Sequence, residues 1–342
     1  MRKSVSLVTG ANGEIGQALV AALTESGRAV VAMDLARLPA AIGARCETTL
    51  IGDILDRNLL ERLTSEYAVA EIFHLAALLS TRSEFTPDTA HRVNVGGTLE
   101  LLRIATDQAR RDGHPVVFVF PSSIAVYGLP DLATKAAVGA VTEGAYNVPT
   151  TMYGCNKLYC EHLGRYFSEH YGQLDANFRP SGVDFRALRF PGLVSAATVP
   201  SGGTSDWGPE LLHGAASGQP YACFVGPDAR LPFMAMPDAV QSIVQLAAAP
   251  AASLTQRVYN VGSFSLSAAE IRQRAEVAFP GARLSYAPQR ARAAIVDTWP
   301  GDVDDTPARN DWGWSPAYDA DQAFEAYLLP QLRRRYAAVV GA

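Results

Sequence analysis

The chain has 342 residues, 48% hydrophobic and 18% charged, which is enough to bury one large core or two smaller ones. No run approaches the roughly 20 apolar residues of a membrane helix, and a net charge of −5 without a basic stripe argues against a nucleic-acid partner. The four cysteines form no CxxC pair and have no histidine at zinc spacing, so we expect reduced thiols, no metal site and a cytoplasmic protein.

The first predicted strand, SVSLVT, begins too early to leave room for a signal peptide. It leads into Gly10, Gly13 and Gly16, which open a helical pattern. The first glycine allows a tight turn, the second lets the backbone approach a pyrophosphate, and the third lets helix and strand pack closely. Because helix N-termini attract phosphate, a dinucleotide site is predicted, with a plain tight turn as the alternative.

The second predicted strand, RAVVAMD, ends at Asp34. A carboxylate there can accept from both ribose hydroxyls of NAD and would repel the extra phosphate of NADP. Arg37 could serve that phosphate, so NAD is preferred without excluding NADP. Asp53 and Ile54 follow the third predicted strand and could flank the adenine, with a surface turn as the alternative for Asp53.

Further buried strands are predicted at AEIFHLA, PVVFVFPSS and VDFRALRFPG, separated by amphipathic helices that end at Gly27 and Gly113. This alternation indicates an α/β fold with a doubly wound parallel sheet. From about Gly192 the elements become shorter and richer in Gly and Pro. We therefore divide the chain into a cofactor domain, 1–192, and a smaller substrate lobe, 193–342, of which about 257–262 returns to the sheet.

Catalytic residues are predicted at Ser122 and Ser123, which end a strand, and at Tyr153 and Lys157, which lie one helical turn apart. A phenol has a pKa near 10. A nearby ammonium and an oxidised nicotinamide both favour phenolate, and lowering the pKa by about 3 units requires roughly 4 kcal/mol. Tyr153 could then take a proton from a substrate alcohol while a serine orients it.

Together these segments resemble the extended short-chain dehydrogenases/reductases, with TGANGEIG, HLAA, PSSIAVYG, YGCNK and RFPG in the usual order. The resemblance implies a Rossmann fold, bound NAD and a Ser–Tyr–Lys site. For His74 we prefer a strand histidine with satisfied hydrogen bonds to a catalytic role. The residues expected to line the cofactor are Gly10, Asn12, Gly13, Glu14, Ile15, Gly16, Asp34, Asp53, Ile54, Leu75, Ala76, Ala77, Asn94, Tyr153, Lys157, Pro191 and Leu193.

The second half bears on the substrate class. Residues 193–229 contain no Lys or Arg, although a sugar-nucleotide pocket must balance a diphosphate. The same span contains SGGTSDW, Ser201 to Trp207, whose backbone N–H groups and hydroxyls can hold a small carboxylate. This weakens the sugar-nucleotide interpretation without removing it, because Arg230, Arg283 and Arg290 follow.

HLAALLS, PSGGTSDW, LPFMAMPDAV and DTWPGDVDDTPARNDWGW are similar to segments of the short-chain L-threonine 3-dehydrogenases, in the same order. That resemblance implies an amino acid surrounded by Ser80, Ser123, Tyr153, Thr204, Ser205 and Trp299. Trp299 and Trp207 could instead be packing residues, and Asp206 could cap the following helix rather than meet the substrate ammonium.

We therefore expect NAD-dependent oxidation of the C3 hydroxyl of L-threonine to 2-amino-3-oxobutyrate. The alternatives are a related 3-hydroxy amino acid, a sugar-nucleotide epimerase or dehydratase, and a non-catalytic NAD-sensing scaffold. Extra residues near 130–148 and 170–184 depart from the family pattern. They leave both a homodimer and a monomer open.

Overall fold

The computed structural model describes residues 2–176, 180, 182–200 and 203–340, without the side chains of 338–340. Ser201 and Gly202 of the SGGTSDW segment lie outside the described residues, as do Asn177, Phe178, Arg179 and Ser181 of the second insertion. The strands are β1 Lys3–Thr9, β2 Val30–Asp34, β3 Thr48–Ile51, β4 Tyr67–His74, β5 Val116–Ser123, β6 Ala140–Val141, β7 Val183–Phe190, β8 Gly192–Val194, β9 Tyr221–Cys223, β10 Arg230–Ala235, β11 Val258–Asn260, β12 Phe264–Ser267, β13 Leu284–Tyr286 and β14 Asp302–Val303.

Helices alternate with these strands through the first 190 residues, and further helices follow in the rest of the chain. The α-helices are α1 Glu14–Glu25, α2 Ala40–Gly43, α3 Arg57–Glu66, α4 Ser80–Phe85, α5 Pro87–His91, α6 Gly97–Asp112, α7 Leu132–Val138, α8 Met152–Glu169, α9 Trp207–Ser217, α10 Met236–Ala248, α11 Ala268–Ala278, α12 Arg290–Thr298, α13 Thr306–Trp312, α14 Ala320–Gln322 and α15 Leu329–Val340. A π-helical turn, Arg92–Gly96, joins α5 to α6, and another, Ala323–Leu328, joins α14 to α15. None of the described helices is both long and apolar enough to cross a bilayer.

The central sheet runs β11-β7-β5-β4-β1-β2-β3 and all its described pairings are parallel. Its strands are nearly continuous apolar runs because helices cover both faces. On one face α6 and α8 bury residues such as Leu101 and Phe167, and on the other α1 packs against α10 through residues such as Leu19 and Ile243. The predicted doubly wound sheet is confirmed, and Gly113 ends α6 with a φ of 75° as expected.

A second core around Trp207, Phe233 and Trp299 is built mostly by the chain after residue 192, together with buried residues between 124 and 141. Three small sheets accompany it in the described residues. The chain after residue 192 also returns to the central sheet, because β11 pairs with β7. In addition, α10 covers one face of the sheet, so residues beyond 192 build both halves. The domain boundary at 192 stays a prediction.

Candidate active site

The turn between β1 and α1 places its glycines where side chains cannot fit. Gly10 has a φ of 68°, and a Cβ there would lie 2.7 Å from the Ala76 nitrogen. A Cβ on Gly16 would lie 2.3 Å from the Gly10 oxygen, whereas one on Gly13 would meet only that oxygen, at 3.3 Å. Gly13 is the N-cap of α1 and supplies no side-chain cap. The first-turn N–H groups are therefore available to a phosphate.

The two glycines predict a contrast between alanine variants. Gly16→Ala is expected to destabilise the fold by about 1–3 kcal/mol, because its new methyl group collides with backbone rather than with a movable side chain. Gly13→Ala should fold normally and lose NAD affinity by at least about tenfold, because its methyl group occupies the space that the pyrophosphate approaches. Thermal unfolding and NADH fluorescence titration of both variants measure the two effects. Equal NAD affinity in Gly13→Ala and wild type would contradict the placement of the phosphates.

The ends of β2 and β4 complete this edge of the sheet. Asp34 accepts from the Asn12 N–H at 2.9 Å through one oxygen and from the Ala36 N–H at 3.0 Å through the other. After β4, the Leu75 N–H donates to the Thr9 carbonyl, and Ala76 and Ala77 follow. The Asn94 amide, in the first π-helical turn, accepts from the Leu78 N–H and donates to the Leu78 carbonyl. Asn94 therefore holds the strand-end loop in place.

Three predicted cofactor residues use their side chains elsewhere. Ile54 is 6% exposed and packs against Gly97 in the core, so only its backbone is left for the adenine. The Asp53 carboxylate accepts from the Leu55 N–H at 3.0 Å, as expected if Asp53 is a surface-turn residue rather than an adenine contact. Glu14 accepts from the Thr198 hydroxyl, so its side chain faces the segment that follows β8, while its backbone lies in the first turn of α1. Ile15 follows in that turn and packs against the core that covers this face of the sheet.

Tyr153 and Lys157 lie in α8, which begins where the Thr151 hydroxyl accepts from the Gly154 N–H at 3.0 Å. A Cβ on Gly154 would lie 2.0 Å from the Ala125 oxygen, so this helix start sits directly against the segment after β5. Lys157 Nζ donates to the Pro121 carbonyl at 2.5 Å and lies 5.5 Å from the centre of the Tyr153 ring. The predicted pair is therefore on one helix face, next to the end of β5.

The two serines that end β5 have different environments. Ser122 is 3% exposed, and its hydroxyl donates to Glu161 Oε1 at 2.5 Å. Ser123 is half-buried, and its hydroxyl accepts from the Ala125 N–H at 3.1 Å, which leaves its proton free to be donated. Adjacent strand residues point to opposite faces. The Ser122 hydroxyl is therefore engaged with Glu161, and Ser123 is the serine whose proton is available to orient substrate. A substrate role for Ser122 stays a prediction.

Two predicted substrate residues that are 124 positions apart in sequence contact each other. The Thr204 N–H and hydroxyl both donate to Ser80 Oγ, at 3.4 and 3.3 Å. Asp206 occupies the N-cap position of α9 without capping it, and its carboxylate accepts from the Gly203 N–H at 2.6 Å. The loop from Gly203 to Asp206, which includes Ser205, lies next to the start of α4.

Leu193 lies in β8, which pairs with β10. This strand begins directly after the buried Pro191.

Trp207 and Trp299, the two tryptophans weighed for ligand contact, are both buried. Trp207 packs edge-on against Phe233, with ring centres 5.2 Å apart, and Trp299 is 3% exposed in the same core. Each indole N–H finds no hydrogen-bond partner within the described residues. Packing is therefore established for both, and contact of Trp299 with a ligand stays a prediction.

The chain is similar to known proteins over most of its length. The sequence profile of the NAD dependent epimerase/dehydratase family matches residues 6–262. The chain belongs to this family. The mitochondrial L-threonine 3-dehydrogenase of Bos taurus is 32% identical over 330 residues, 94% of this chain and 81% of the relative. A solved monomeric L-threonine 3-dehydrogenase from a metagenome is 34% identical, with a TM-score of 0.83 and coverage of 97% and 100%. The Trypanosoma brucei L-threonine 3-dehydrogenase is 33% identical, with a TM-score of 0.84 and 98% coverage of both chains.

Membership of the epimerase/dehydratase family confirms the predicted fold and NAD as the cofactor. The structure fits that cofactor, because no side chain fills the space beside Gly13 and Asp34 lies at the end of β2.

His74 is buried between the hydroxyls of Thr9, at 2.9 Å, and Thr98, at 3.0 Å. Burial and the nearby Lys157 lower the pKa of His74 to about 3. The preference for a satisfied strand histidine is therefore supported.

The electrostatics of Tyr153 differ from the sequence expectation. Burial raises the pKa of Tyr153 in this structure, and burial lowers the pKa of Lys157 to about 8 against the opposing effects of Cys160 and Glu161. The proximity of Lys157 alone is thus insufficient to make the phenol acidic. In an epimerase/dehydratase fold the second positive charge is that of the nicotinamide ring, so the lowered pKa remains a prediction for the NAD complex.

Sequence reasoning missed one cation near the substrate loop. Arg292, in α12, donates through Nη2 to the Gly203 carbonyl at 3.1 Å, and its guanidinium lies 3.4 Å from the centre of the Phe224 ring. The absence of Lys and Arg from 193–229 is therefore offset by a residue far along the chain. The only sequence signal was a helix beginning with basic residues, which does not show where the helix docks.

Proposed function

We propose that the chain is an NAD-dependent L-threonine 3-dehydrogenase that oxidises the C3 hydroxyl to give 2-amino-3-oxobutyrate. The observation that carries this proposal is the 32% identity to the bovine L-threonine 3-dehydrogenase, which extends over 94% of the chain. The Ser80–Thr204 contact supports it, since the segments LLS and GGTSDW that resemble that family lie together in the fold.

In this proposal Tyr153 is the general base and takes the proton of the C3 hydroxyl. Ser123 donates a hydrogen bond to the same oxygen and orients it, a role that its free proton permits. Lys157 supports the phenolate and holds the nicotinamide ribose. NAD⁺, when bound, supplies the hydride acceptor.

Recognition of the amino acid falls to the loop at 203–207 and its neighbours. The hydroxyls of Ser80, Thr204 and Ser205 can donate to the substrate carboxylate, and Asp206 can accept from its ammonium. Trp299 would close the pocket on the side of the lobe core. A related 3-hydroxy amino acid would use the same groups, so selectivity for the methyl group of threonine is the finer part of the proposal.

The direct test combines the enzyme with NAD⁺ and L-threonine and follows NADH at 340 nm. NADH formation with L-threonine, slower NADH formation with serine, and little NADPH formation when NADP⁺ replaces NAD⁺ support the proposal. Turnover of UDP-sugars without net NADH, together with tightly retained NAD, would identify an epimerase or dehydratase instead. Arg292 keeps that alternative worth testing, because it puts a cation beside the substrate loop.

The titration of Tyr153 gives a separate expected result. Since burial raises the pKa of Tyr153 without cofactor, NAD⁺ should shift phenolate formation to lower pH by at least about 2 units. A deprotonated base is more abundant as pH rises, so kcat/KM should increase with pH up to the shifted pKa. The phenolate absorbance of wild type minus that of Tyr153→Phe, with and without NAD⁺, measures the shift. An identical titration in both conditions would refute it.

The oligomeric state and the cellular location remain parts of this proposal. The chain resembles a solved monomeric L-threonine 3-dehydrogenase, and a monomer is the form that we propose, with a homodimer as the alternative. A cytoplasmic location stays a prediction, since one relative is named as mitochondrial. Sedimentation of the purified protein with NAD⁺ decides the first point.

A further inference from the structure

A cavity of about 870 Å³ lies outside the candidate active site. The first insertion forms one wall through α7, and Arg230, Asp297 and Asp302 contribute to the others. None of the residues that we assign to cofactor or substrate lines it. Its volume is in the range of small-molecule sites.

Lys135 is the amine that lines this cavity. The chain has only three lysines, and the other two are Lys3, which pairs with Glu47 on the surface, and the buried Lys157. Lys135 Nζ donates to the Val296 carbonyl at 3.0 Å. In the described part of the chain it forms no ion pair, since Asp297 acts on it only from a longer distance.

The surroundings of Lys135 favour a neutral amine. Burial lowers the pKa of Lys135 to about 8, and Asp297 opposes that shift. At neutral pH about a tenth of such amines carry a free lone pair, compared with well under a thousandth for a lysine of ordinary pKa. The charged groups that share the cavity are Arg230, which is paired with Glu270, and the carboxylates Asp228, Asp297 and Asp302.

We propose that Lys135 is a carbonyl-capturing residue that forms an imine with uncharged aldehydes entering this cavity. The amine nitrogen attacks the carbonyl carbon, a C=N bond replaces the C=O bond, and the carbonyl oxygen leaves as water. No oxidation or reduction is involved. Three carboxylates in the walls disfavour anionic carbonyl compounds such as glyoxylate.

The adduct would form close to the candidate active site without belonging to it. The Val296 carbonyl that accepts from Lys135 also accepts from the backbone N–H of Trp299, at 3.2 Å. Lys135 and Trp299 thus share one acceptor at the end of α12. The chemistry itself does not depend on the function proposed above.

The test uses the full chain with NAD⁺ at pH 7.5 and pentanal as the probe, with cyanoborohydride to trap imines and peptide mapping by mass spectrometry to locate them. Among the lysines, we expect the first pentyl group on Lys135, formed at least about tenfold faster than on Lys3. The α-amino group, whose ordinary pKa is near 8, also reacts and is mapped separately. Lys135→Arg should abolish the fast adduct and Lys3→Arg should leave it unchanged. Glyoxylate should give less than about a tenth of the pentanal adduct.

Asp297→Asn provides a second variant that keeps Lys135. Because Asp297 raises the pKa of Lys135, its neutralisation should increase the rate of adduct formation at pH 7 by about two- to fivefold. Asp302→Asn, on a neighbouring wall, serves as the matched control for a change in cavity charge. Equal labelling of Lys3 and Lys135, or a slower reaction in Asp297→Asn, would overturn the proposal.

Discussion

Replacing Tyr153 by phenylalanine is expected to lower kcat with L-threonine by about 10³-fold, because the substrate hydroxyl then loses its proton acceptor. The ring and its packing in α8 stay in place, so NAD affinity should change by less than about threefold. Initial rates from NADH absorbance and NADH fluorescence titration measure the two quantities.

Tyr159→Phe is the matched control, since Tyr159 lies in the same helix with its side chain exposed. It should keep wild-type kcat. A Tyr153→Phe enzyme that retains more than about a tenth of wild-type kcat would show that another group accepts the proton.

Replacing Glu161 by glutamine is expected to lower the free energy of unfolding by about 3–5 kcal/mol. Glu161 and Arg189 are 2% and 3% exposed, and Arg189 donates to both carboxylate oxygens, at 2.9 and 2.6 Å. A neutral amide leaves the buried guanidinium uncompensated and also changes the partner of Ser122. Urea unfolding followed by far-ultraviolet circular dichroism measures the loss.

Glu25→Gln is the comparison for an exposed ion pair, because Glu25 and Arg45 are both largely solvent-accessible. Its effect should stay below about 1 kcal/mol. Equal losses in the two variants would mean that the Glu161–Arg189 pair contributes no more than a surface pair, and that the burial argument is wrong.

The sheet was predictable because short stretches of sequence determine each of its strands. Buried parallel strands are short apolar runs, and the glycines of the first turn must avoid backbone that lies within a few residues or on the adjacent strand. The Tyr153–Lys157 pair was predictable for the same reason, since one helical turn sets the spacing.

The parts that sequence could not predict depend on long-range packing. Ser122 and Ser123 are adjacent in sequence, and only the position of Glu161 in α8 shows that Ser122 is committed to the interior. Arg292 reaches Gly203 across 89 residues. Ile54 was predicted to flank the adenine, but its side chain fills the space that Gly97 leaves in the core.

The pairing of β6 with β14 has a consequence for synthesis on the ribosome. Tyr153 and Lys157 have been translated before half of the chain is made, yet Ala140 and Val141 find their strand partners only at Asp302 and Val303. The edge strand β11 likewise arrives after residue 257. A nascent chain therefore carries its chemical groups long before it can assemble the walls around them, and activity should begin only when nearly all of the polypeptide has emerged.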